Sequence, residues 1–236
     1  MTGIDPELIK ERLWSLEARR FSSTQIQLTS VTDLGDSVRS VLEIGPGNGY
    51  FSTILSTLGY AIKTADIRKR TDPDFLGDFR DIEINEKFDL IAAFEMLQHL
   101  PYSDVSRTIS KIADMSKRYV LISVPARIHQ LSFEIEVPKI FAPRRLGLGW
   151  MQGKHSIVMN WEWPRGKDIT ESNRIERNDY WNAHHWEIGR RSYPRSRFLN
   201  DLESTGLKII WHKYNPQHTH HLFVLAQKNT LDNAAL

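Results

Sequence analysis

Residues 41–49 read Val-Leu-Glu-Ile-Gly-Pro-Gly-Asn-Gly, and this stretch decides the fold. Four residues suited to a buried parallel strand run into three glycines at alternate positions, Gly45, Gly47 and Gly49. The amphipathic segment 50–58 follows at once and predicts a helix. A strand, a glycine turn and a helix in this order present backbone to a nucleoside-like ligand at the carboxyl end of the strand. Glycine suits such a turn because a Cβ would hold the ligand away and because tight turns often need a positive φ.

Strand-like and helical segments alternate on both sides of this turn. The pattern predicts strands over 41–44, 61–66, 88–94 and 119–124, with a helix over 103–115. This alternation favours an α/β fold, a parallel sheet with helices on both faces. The chain ends differently, because a helix over 194–203 precedes two strands, 207–212 and 222–226, which predict an antiparallel hairpin.

The composition indicates a soluble globular protein. Of 236 residues, 40% are apolar and 25% are charged, which suffices for a sizeable core. A formal net charge of +2 is too small to favour nucleic acid or an anionic membrane as the main partner. The absence of cysteine excludes disulfides and thiolate chemistry. Because we find neither an apolar signal core nor an apolar run of about 20 residues, we expect a cytoplasmic location.

We expect a single domain made of five segments: an N-terminal helical segment (1–37), a cofactor-binding core (38–125), an insertion (126–191), a closing helix and hairpin (192–228) and a tail (229–236). In the first segment, residues 5–20 predict one helix with Ile9, Leu13 and Leu16 on an apolar stripe. The insertion contains Trp150, Trp161, Trp163, Trp181 and Trp186, and prolines and glycines interrupt each of its candidate elements. We therefore interpret it as a largely structureless lid. Its tryptophans either line an acceptor site or form the core of the lid.

Acidic residues recur where the predicted strands end. Glu43 lies two residues before Gly45, Asp66 ends the second strand, Gly77-Asp78-Phe79 follows it, and Phe94-Glu95 ends the strand 88–94. The carboxyl ends of parallel strands share one edge of a sheet, which is where open α/β folds bind ligands. The sequence therefore predicts one acidic ligand site along this edge.

These motifs together resemble those of class I S-adenosylmethionine-dependent methyltransferases, in the group that acts on small molecules. The segment 43–49 is similar to the glycine motif of that family, and 94–101 resembles the motif beneath the methionine end of the cofactor. Asp66 matches the acid that binds the ribose hydroxyls, whereas Asp78 and Phe79 match the pair at adenine. The resemblance covers roughly 38–125 with the final helix and hairpin, and implies a Rossmann-like, seven-stranded, mostly parallel sheet. It implies S-adenosylmethionine as the cofactor, bound by Glu43, Gly45, Gly47, Gly49, Asp66, Ile67, Asp78, Phe79, Phe94 and Glu95.

The chemistry of these residues agrees with the resemblance. Two adjacent ribose hydroxyls can both donate to one carboxylate at Asp66. An acidic rim suits an ammonium and a sulfonium better than phosphates, and no Gly-Lys-Ser/Thr follows the glycines. A dinucleotide fingerprint would place its third glycine one position beyond Gly49. A nicotinamide-dependent oxidoreductase and a non-catalytic cofactor-binding partner subunit remain as alternatives, whereas a nucleic-acid methyltransferase is disfavoured by the near-neutral charge.

We expect in-line methyl transfer to an oxygen or nitrogen of a small molecule, with a histidine as the base if one is used. His184 and His185 near the end of the insertion are the first candidates, and His99 is the second. A lid closed by hydrogen bonds is the alternative role for the first pair, and a backbone hydrogen bond is the alternative for His99. We expect no metal at His218, His220 and His221, because their loop contains no Asp, Glu or Cys to complete a site. A hairpin tip near the active edge is the favoured interpretation of this loop.

Overall fold

The computed structural model describes residues 5–137, 153–161, 166–170 and 183–229, with the backbone alone at 130–137 and 153–161. Its main sheet has seven strands in the order β3-β2-β1-β4-β5-β9-β8. These strands are β1 (Ser40–Ile44), β2 (Ala61–Asp66), β3 (Phe75–Leu76), β4 (Phe88–Phe94), β5 (Ser116–Pro125), β8 (Leu207–Tyr214) and β9 (His221–Lys228). The first five are parallel, whereas β9 lies antiparallel to both β5 and β8. The predicted Rossmann-like sheet with a terminal antiparallel hairpin is confirmed.

Helices cover both faces of this sheet because its strands bury side chains on both sides. The helices are α1 (Pro6–Ser15), α2 (Ala18–Thr32), α3 (Tyr50–Thr57), α4 (Tyr102–Met115) and α5 (Arg195–Ser204). Neighbouring residues of β1 point to opposite faces. Val41 belongs to the apolar cluster that contains Phe51 of α3, whereas Leu42 belongs to the cluster that contains Ile109 of α4 and Phe198 of α5. The near-continuous apolar sequence of the central strands follows from this double burial.

The prediction of one helix over 5–20 is wrong, because the chain forms two helices there. Asp5 caps α1 as expected, accepting a hydrogen bond from the Glu7 amide at 2.9 Å. Glu17 then adopts extended dihedral angles (φ −55°, ψ 130°) and becomes the N-cap of α2. The expected apolar stripe of α1 does not pack into the core, since Leu13 is 64% exposed. Helix α1 instead lies beside the polar glycine turn, where Arg12 Nε donates to the Asn48 carbonyl at 2.9 Å.

The described part of the insertion contains strands that the sequence does not predict. Its strands β6 (His129–Val137) and β7 (Gly153–Trp161) pair antiparallel in a two-stranded sheet of their own. Trp186 is fully buried in the core of the main domain, where its ring lies 5.0 Å from Tyr102 and 5.7 Å from Phe198. It therefore belongs neither to an acceptor wall nor to a separate lid core. The predictions for Trp150, Trp163 and Trp181, and for the side chain of Trp161, fall outside the described residues. Within the described part of the chain, no helix is long and apolar enough to cross a membrane.

Candidate active site

The glycine turn connects β1 to α3 at the carboxyl edge of the sheet. Gly45, Gly47 and Gly49 adopt φ angles of 71°, 54° and 76°. A Cβ placed on Gly45 would lie 3.6 Å from Met96, an ordinary van der Waals distance. Protein packing alone would therefore accept a side chain at Gly45, and the left-handed backbone is what demands glycine there.

A first cavity of about 130 Å³ lies at the carboxyl ends of β1, β2 and β4. It is lined on one side by Gly45 of the glycine turn and by Glu95 and His99 after β4. The other side collects four residues that the sequence predicted to bind cofactor: Asp66, Ile67, Asp78 and Phe79. The structure thus brings the predicted ribose and adenine residues together in one cavity.

Asp66 is buried and is already an acceptor of several hydrogen bonds. Its Oδ1 accepts from the Arg68 amide at 2.9 Å, and its Oδ2 accepts from Thr71 Oγ1 at 3.1 Å. The Arg68 guanidinium makes longer contacts, from Nε to Oδ1 and from Nη2 to Oδ2, both at 3.3 Å. The short contacts fix the turn after β2, whereas the long ones are weak enough to be exchanged for ribose hydroxyls.

Asp78 is held by a stronger partner. Arg80 Nη2 donates to Asp78 Oδ2 at 2.7 Å, and this hydrogen bond lowers the pKa of Asp78. Phe79 is buried beside it, and its carbonyl accepts from Lys111 Nζ at 2.7 Å. The loop that carries Asp78 and Phe79 is therefore fixed by charge-assisted hydrogen bonds.

A second cavity of about 360 Å³ lies on the other side of the glycine turn. Residues from α1, α2, the glycine turn and the terminal hairpin line it. Four residues that the sequence predicted for the site line this cavity alone: Glu43, Gly47, Phe94 and His184. Gly45, Glu95 and His99 line both cavities, so the two spaces meet at these three residues.

Glu43 lies beneath the glycine turn and is almost fully buried. Burial raises its pKa to about 8, and hydrogen bonds from Ser52 offset this effect only in part. Its Oε2 has no hydrogen-bond partner. A buried carboxyl oxygen without a partner costs free energy, and a cationic or hydrogen-donating ligand would recover it.

Unpaired polar atoms are concentrated on the wall of the second cavity. Four buried side-chain nitrogen or oxygen atoms of the described residues have no hydrogen-bond partner. Three of the four belong to residues that line this cavity, namely Glu43 Oε2, Gln98 Oε1 and His218 Nδ1. Since buried polar groups are normally paired, these atoms make the cavity suitable for a polar ligand.

A family model described as "Methyltransferase domain" matches residues 16–212, which is most of the chain. The chain belongs to this methyltransferase family. The match confirms the predicted S-adenosylmethionine-dependent methyltransferase and argues against the nicotinamide-dependent alternative. No curated protein sequence matches the chain significantly.

Solved methyltransferase structures share the fold at low sequence identity. One of them is the magnesium protoporphyrin IX methyltransferase of Synechocystis PCC 6803 with bound SAM, which is 14% identical in sequence and has a TM-score of 0.55. The match covers 97% of this chain and 87% of that one. The glycopeptide N-methyltransferase MtfA, complexed with S-adenosyl-L-homocysteine, is 13% identical with a TM-score of 0.55, over 96% and 99% of the chains. An S-adenosylmethionine-dependent methyltransferase from Clostridium acetobutylicum ATCC 824 is 10% identical with a TM-score of 0.53, over 94% and 96%. These similarities establish the fold.

The three histidines that the sequence proposed for catalysis take different places in this methyltransferase. His99 and His184 pack edge to face, with ring centroids 5.4 Å apart and an angle of 66° between the ring planes. His184 Nδ1 lies 3.0 Å from Glu187 Oε1. Burial raises the pKa of Glu187, but hydrogen bonds from His184 and Arg190 outweigh this effect and lower the pKa to about 2. His185 lines neither of the two cavities.

The terminal hairpin supplies two histidines that sequence reasoning did not assign to the site. His218 and His221 line the second cavity, with their ring centroids 4.5 Å apart. The only sequence signal was the hairpin tip expected near the active edge. His221 reaches the cavity because it pairs with Pro125 at the carboxyl end of β5. Among the described residues, no group of three His, Cys, Asp or Glu side chains is arranged to hold a metal ion.

Proposed function

We propose that this methyltransferase transfers the methyl group of S-adenosylmethionine to an amine or hydroxyl of a small molecule. The observation that carries the proposal is the pair of cavities that meet at Gly45, Glu95 and His99. In the cofactor, the sulfur joins the ribose to the methionine chain. A cofactor whose nucleoside fills the first cavity and whose methionine enters the second would therefore carry its sulfur past these three residues.

The residues of both cavities fit the groups of that cofactor. Asp66 offers carboxylate oxygens to the two ribose hydroxyls, and the loop of Asp78 and Phe79 faces the adenine. In the second cavity, the unpaired Oε2 of Glu43 suits the methionine ammonium. Arg20 lines the same cavity and suits the methionine carboxylate.

The bound cofactor supplies a methyl group that its sulfonium already activates. The chain has to align the acceptor with that methyl group and exclude water. Positioning of this kind can lower the barrier by roughly 7–11 kcal/mol. Helices α1 and α2 and the terminal hairpin line the space where this alignment would occur.

The second cavity also indicates the class of acceptor. Arg20 is the one Arg or Lys among the described residues that line it, and the methionine carboxylate of the cofactor would pair with it, which leaves no cationic side chain there for an acidic acceptor. Gln98 Oε1 is unpaired and can only accept a hydrogen bond. These groups suit a ligand that donates hydrogen bonds better than an acidic one. The formal net charge of +2 supports a small molecule over nucleic acid.

Calorimetry with S-adenosylhomocysteine and a transfer assay with methyl-labelled S-adenosylmethionine test the proposal. The transfer assay uses a phenol, a catechol, a primary amine and benzoate as model acceptors, and a cell extract as a source of natural ones. We expect micromolar-range binding and label transfer to a hydroxyl or amine but not to benzoate. Binding without transfer to any acceptor would favour the non-catalytic partner subunit, and absence of binding would overturn the proposal.

A further inference from the structure

Glu95 occupies the junction of the two cavities in an unusual backbone conformation. Its φ of 49° is positive, which is rare for a residue other than glycine. Two hydrogen bonds fix this conformation: the Glu95 amide donates to the Ser123 carbonyl at 3.0 Å, and Gln98 Nε2 donates to the Glu95 carbonyl at 2.6 Å. Strained residues that the surrounding structure holds in place cluster at functional sites.

The Glu95 carboxyl is held from two sides. Ser123 Oγ donates to its Oε1 at 3.0 Å, and His221 Nε2 lies 3.7 Å from its Oε2. The other ring nitrogen of His221, Nδ1, lies 3.0 Å from Ser23 Oγ. Ser23 Oγ in turn accepts from Nδ2 of the fully buried Asn215 at 2.9 Å. A chain of contacts from α2 through the hairpin thus orients His221 toward the carboxyl.

We propose that Glu95 accepts the proton that the acceptor loses during methyl transfer, an inference that rests on the proposed function. As the new bond forms between the acceptor oxygen or nitrogen and the methyl carbon, the carbon–sulfur bond breaks and its electron pair stays on sulfur. The acceptor proton passes to a Glu95 carboxylate oxygen. His221 and Ser23 are positioning residues that act through the carboxyl.

The surroundings of Glu95 match this role better than those of His99 and His221. Burial raises the pKa of Glu95 to about 7, partly offset by Ser123, whereas burial lowers the pKa values of His99 and His221 to about 4. A base is most effective when its pKa lies near the working pH. Among the described residues, His184, Glu187 and His220 act electrostatically on Glu95, and His221 contacts its carboxyl. The other titratable residues that line the second cavity with it are Glu11, Arg20, Glu43, His99 and His218.

The positive charge of the cofactor would promote ionisation of the Glu95 carboxyl. An opposite charge within ~4–6 Å lowers the pKa of a carboxyl by roughly 1–3. Glu95 would therefore be ionised beside a sulfonium and ready to accept a proton. Loss of the methyl group leaves a neutral thioether, so the proton affinity of Glu95 would recover as the acceptor releases its proton.

Calorimetry in two buffers of different ionisation enthalpy measures the protons released on binding. S-adenosylmethionine and S-adenosylhomocysteine share the ammonium that faces Glu43, so the difference between them isolates the sulfonium. At about pH 7 we expect S-adenosylmethionine to release about half a proton more per protein, because Glu95 is about half protonated there. Equal release by the two compounds would overturn the assignment of Glu95 alone, whereas failure of both to bind would overturn the proposed function.

Three variants sharpen the measurement. Glu95→Gln keeps the shape and the hydrogen bond from Ser123, and it should abolish the difference in proton release. Ser123→Ala removes a hydrogen bond that favours the ionised carboxyl, so the midpoint of proton release should move to higher pH. His212→Asn changes an exposed histidine of β8 and should leave the difference intact. A difference that persists in Glu95→Gln would contradict the assignment.

The transfer assay with methyl-labelled cofactor gives a second readout. With a model acceptor that accepts label, Glu95→Gln should lower kcat about 100-fold or more. Because the coupling between the sulfonium and the carboxylate is reciprocal, the KM for S-adenosylmethionine should rise as well, while binding of S-adenosylhomocysteine changes little. His221→Asn should shift the pH profile of kcat, which a purely structural role would not do. A Glu95→Gln variant with wild-type kcat would overturn the proposal.

Discussion

Replacing Asp66 by asparagine should weaken binding of S-adenosylhomocysteine by about 10–150-fold. Hydrogen bonds to a charged group each contribute about 1.5–3 kcal/mol. Two ribose hydroxyls would bond to Asp66, but binding must first displace the two Arg68 guanidinium contacts at 3.3 Å. Because that exchange cancels part of the gain, we expect a net loss of about 1.5–3 kcal/mol, and 1.4 kcal/mol corresponds to tenfold in affinity.

Isothermal calorimetry with S-adenosylhomocysteine measures this loss, and Asp74→Asn is the matched control. Asp74 accepts a hydrogen bond from the Thr64 amide at 2.8 Å but lines neither of the two cavities. The control should bind as the wild type does. Asp66→Asn binding within about twofold of wild type, or an equal loss in both variants, would refute the reasoning.

Three further predictions concern charge, backbone and core. Affinity for S-adenosylhomocysteine should rise between about pH 6 and about pH 8, because Glu43, whose pKa is about 8, must lose a proton to face the ammonium. Glu43→Gln should flatten this pH dependence of the affinity measured by calorimetry. A flat profile for the wild type would contradict the prediction. Gly77→Ala should lower the free energy of unfolding in urea by about 1–3 kcal/mol, since the added Cβ would lie 2.3 Å from Ile82 Cγ2. Gly35 has open space around it, so Gly35→Ala should lower that free energy by less. Equal losses in the two variants would contradict a steric cause. Trp186→Ala should cost about 3–5 kcal/mol in thermal unfolding because the ring is fully buried, and a loss below about 1 kcal/mol would show that the site is not core.

Glu43 also links stability to pH. Its folded-state pKa of about 8 exceeds the value of 4.5 expected when unfolded, so the folded protein binds this proton more tightly. Stability should therefore fall as pH rises from about 4.5 to about 8. Glu43→Gln, which cannot ionise, should remove this loss and raise the stability at pH 7 by on the order of 3 kcal/mol. Urea unfolding of both proteins across this pH range measures the difference, and parallel curves would contradict the burial of a protonated carboxyl.

The sheet was predictable because its strands carry a strong local signal. Residues 61–66 and 88–94 are the observed bounds of β2 and β4. In β4 the signal is a buried apolar run over 90–94, which has few alternatives to a strand between turns. The glycine turn was equally clear, because positive φ angles at three positions leave little choice of residue. The break between α1 and α2 was missed because Leu16 and Glu17 are compatible with a helix, and contacts of α1 with the glycine turn decide its direction.

The acceptor side of the site could not be predicted from local sequence. His221 reaches Glu95 only because β9 folds back antiparallel on β5, and the residues are far apart in the chain. The strain at Glu95 carries no sequence signal either, since its backbone is fixed by Ser123 and Gln98. Cofactor-binding residues that lie in the turns at one edge of the sheet can be predicted from the order of the strands. The wall of the second cavity cannot, because α1, α2, the glycine turn and the terminal hairpin form it together through tertiary packing.

A crystal structure of the protein with S-adenosylhomocysteine tests the central claim most directly. We predict adenosine in the cavity of Asp66 and Asp78, with the ribose hydroxyls on Asp66 and the sulfur beside Gly45 and Glu95. Density for the compound outside the two cavities, or an Asp66 carboxylate that makes no contact with the ribose, would contradict it.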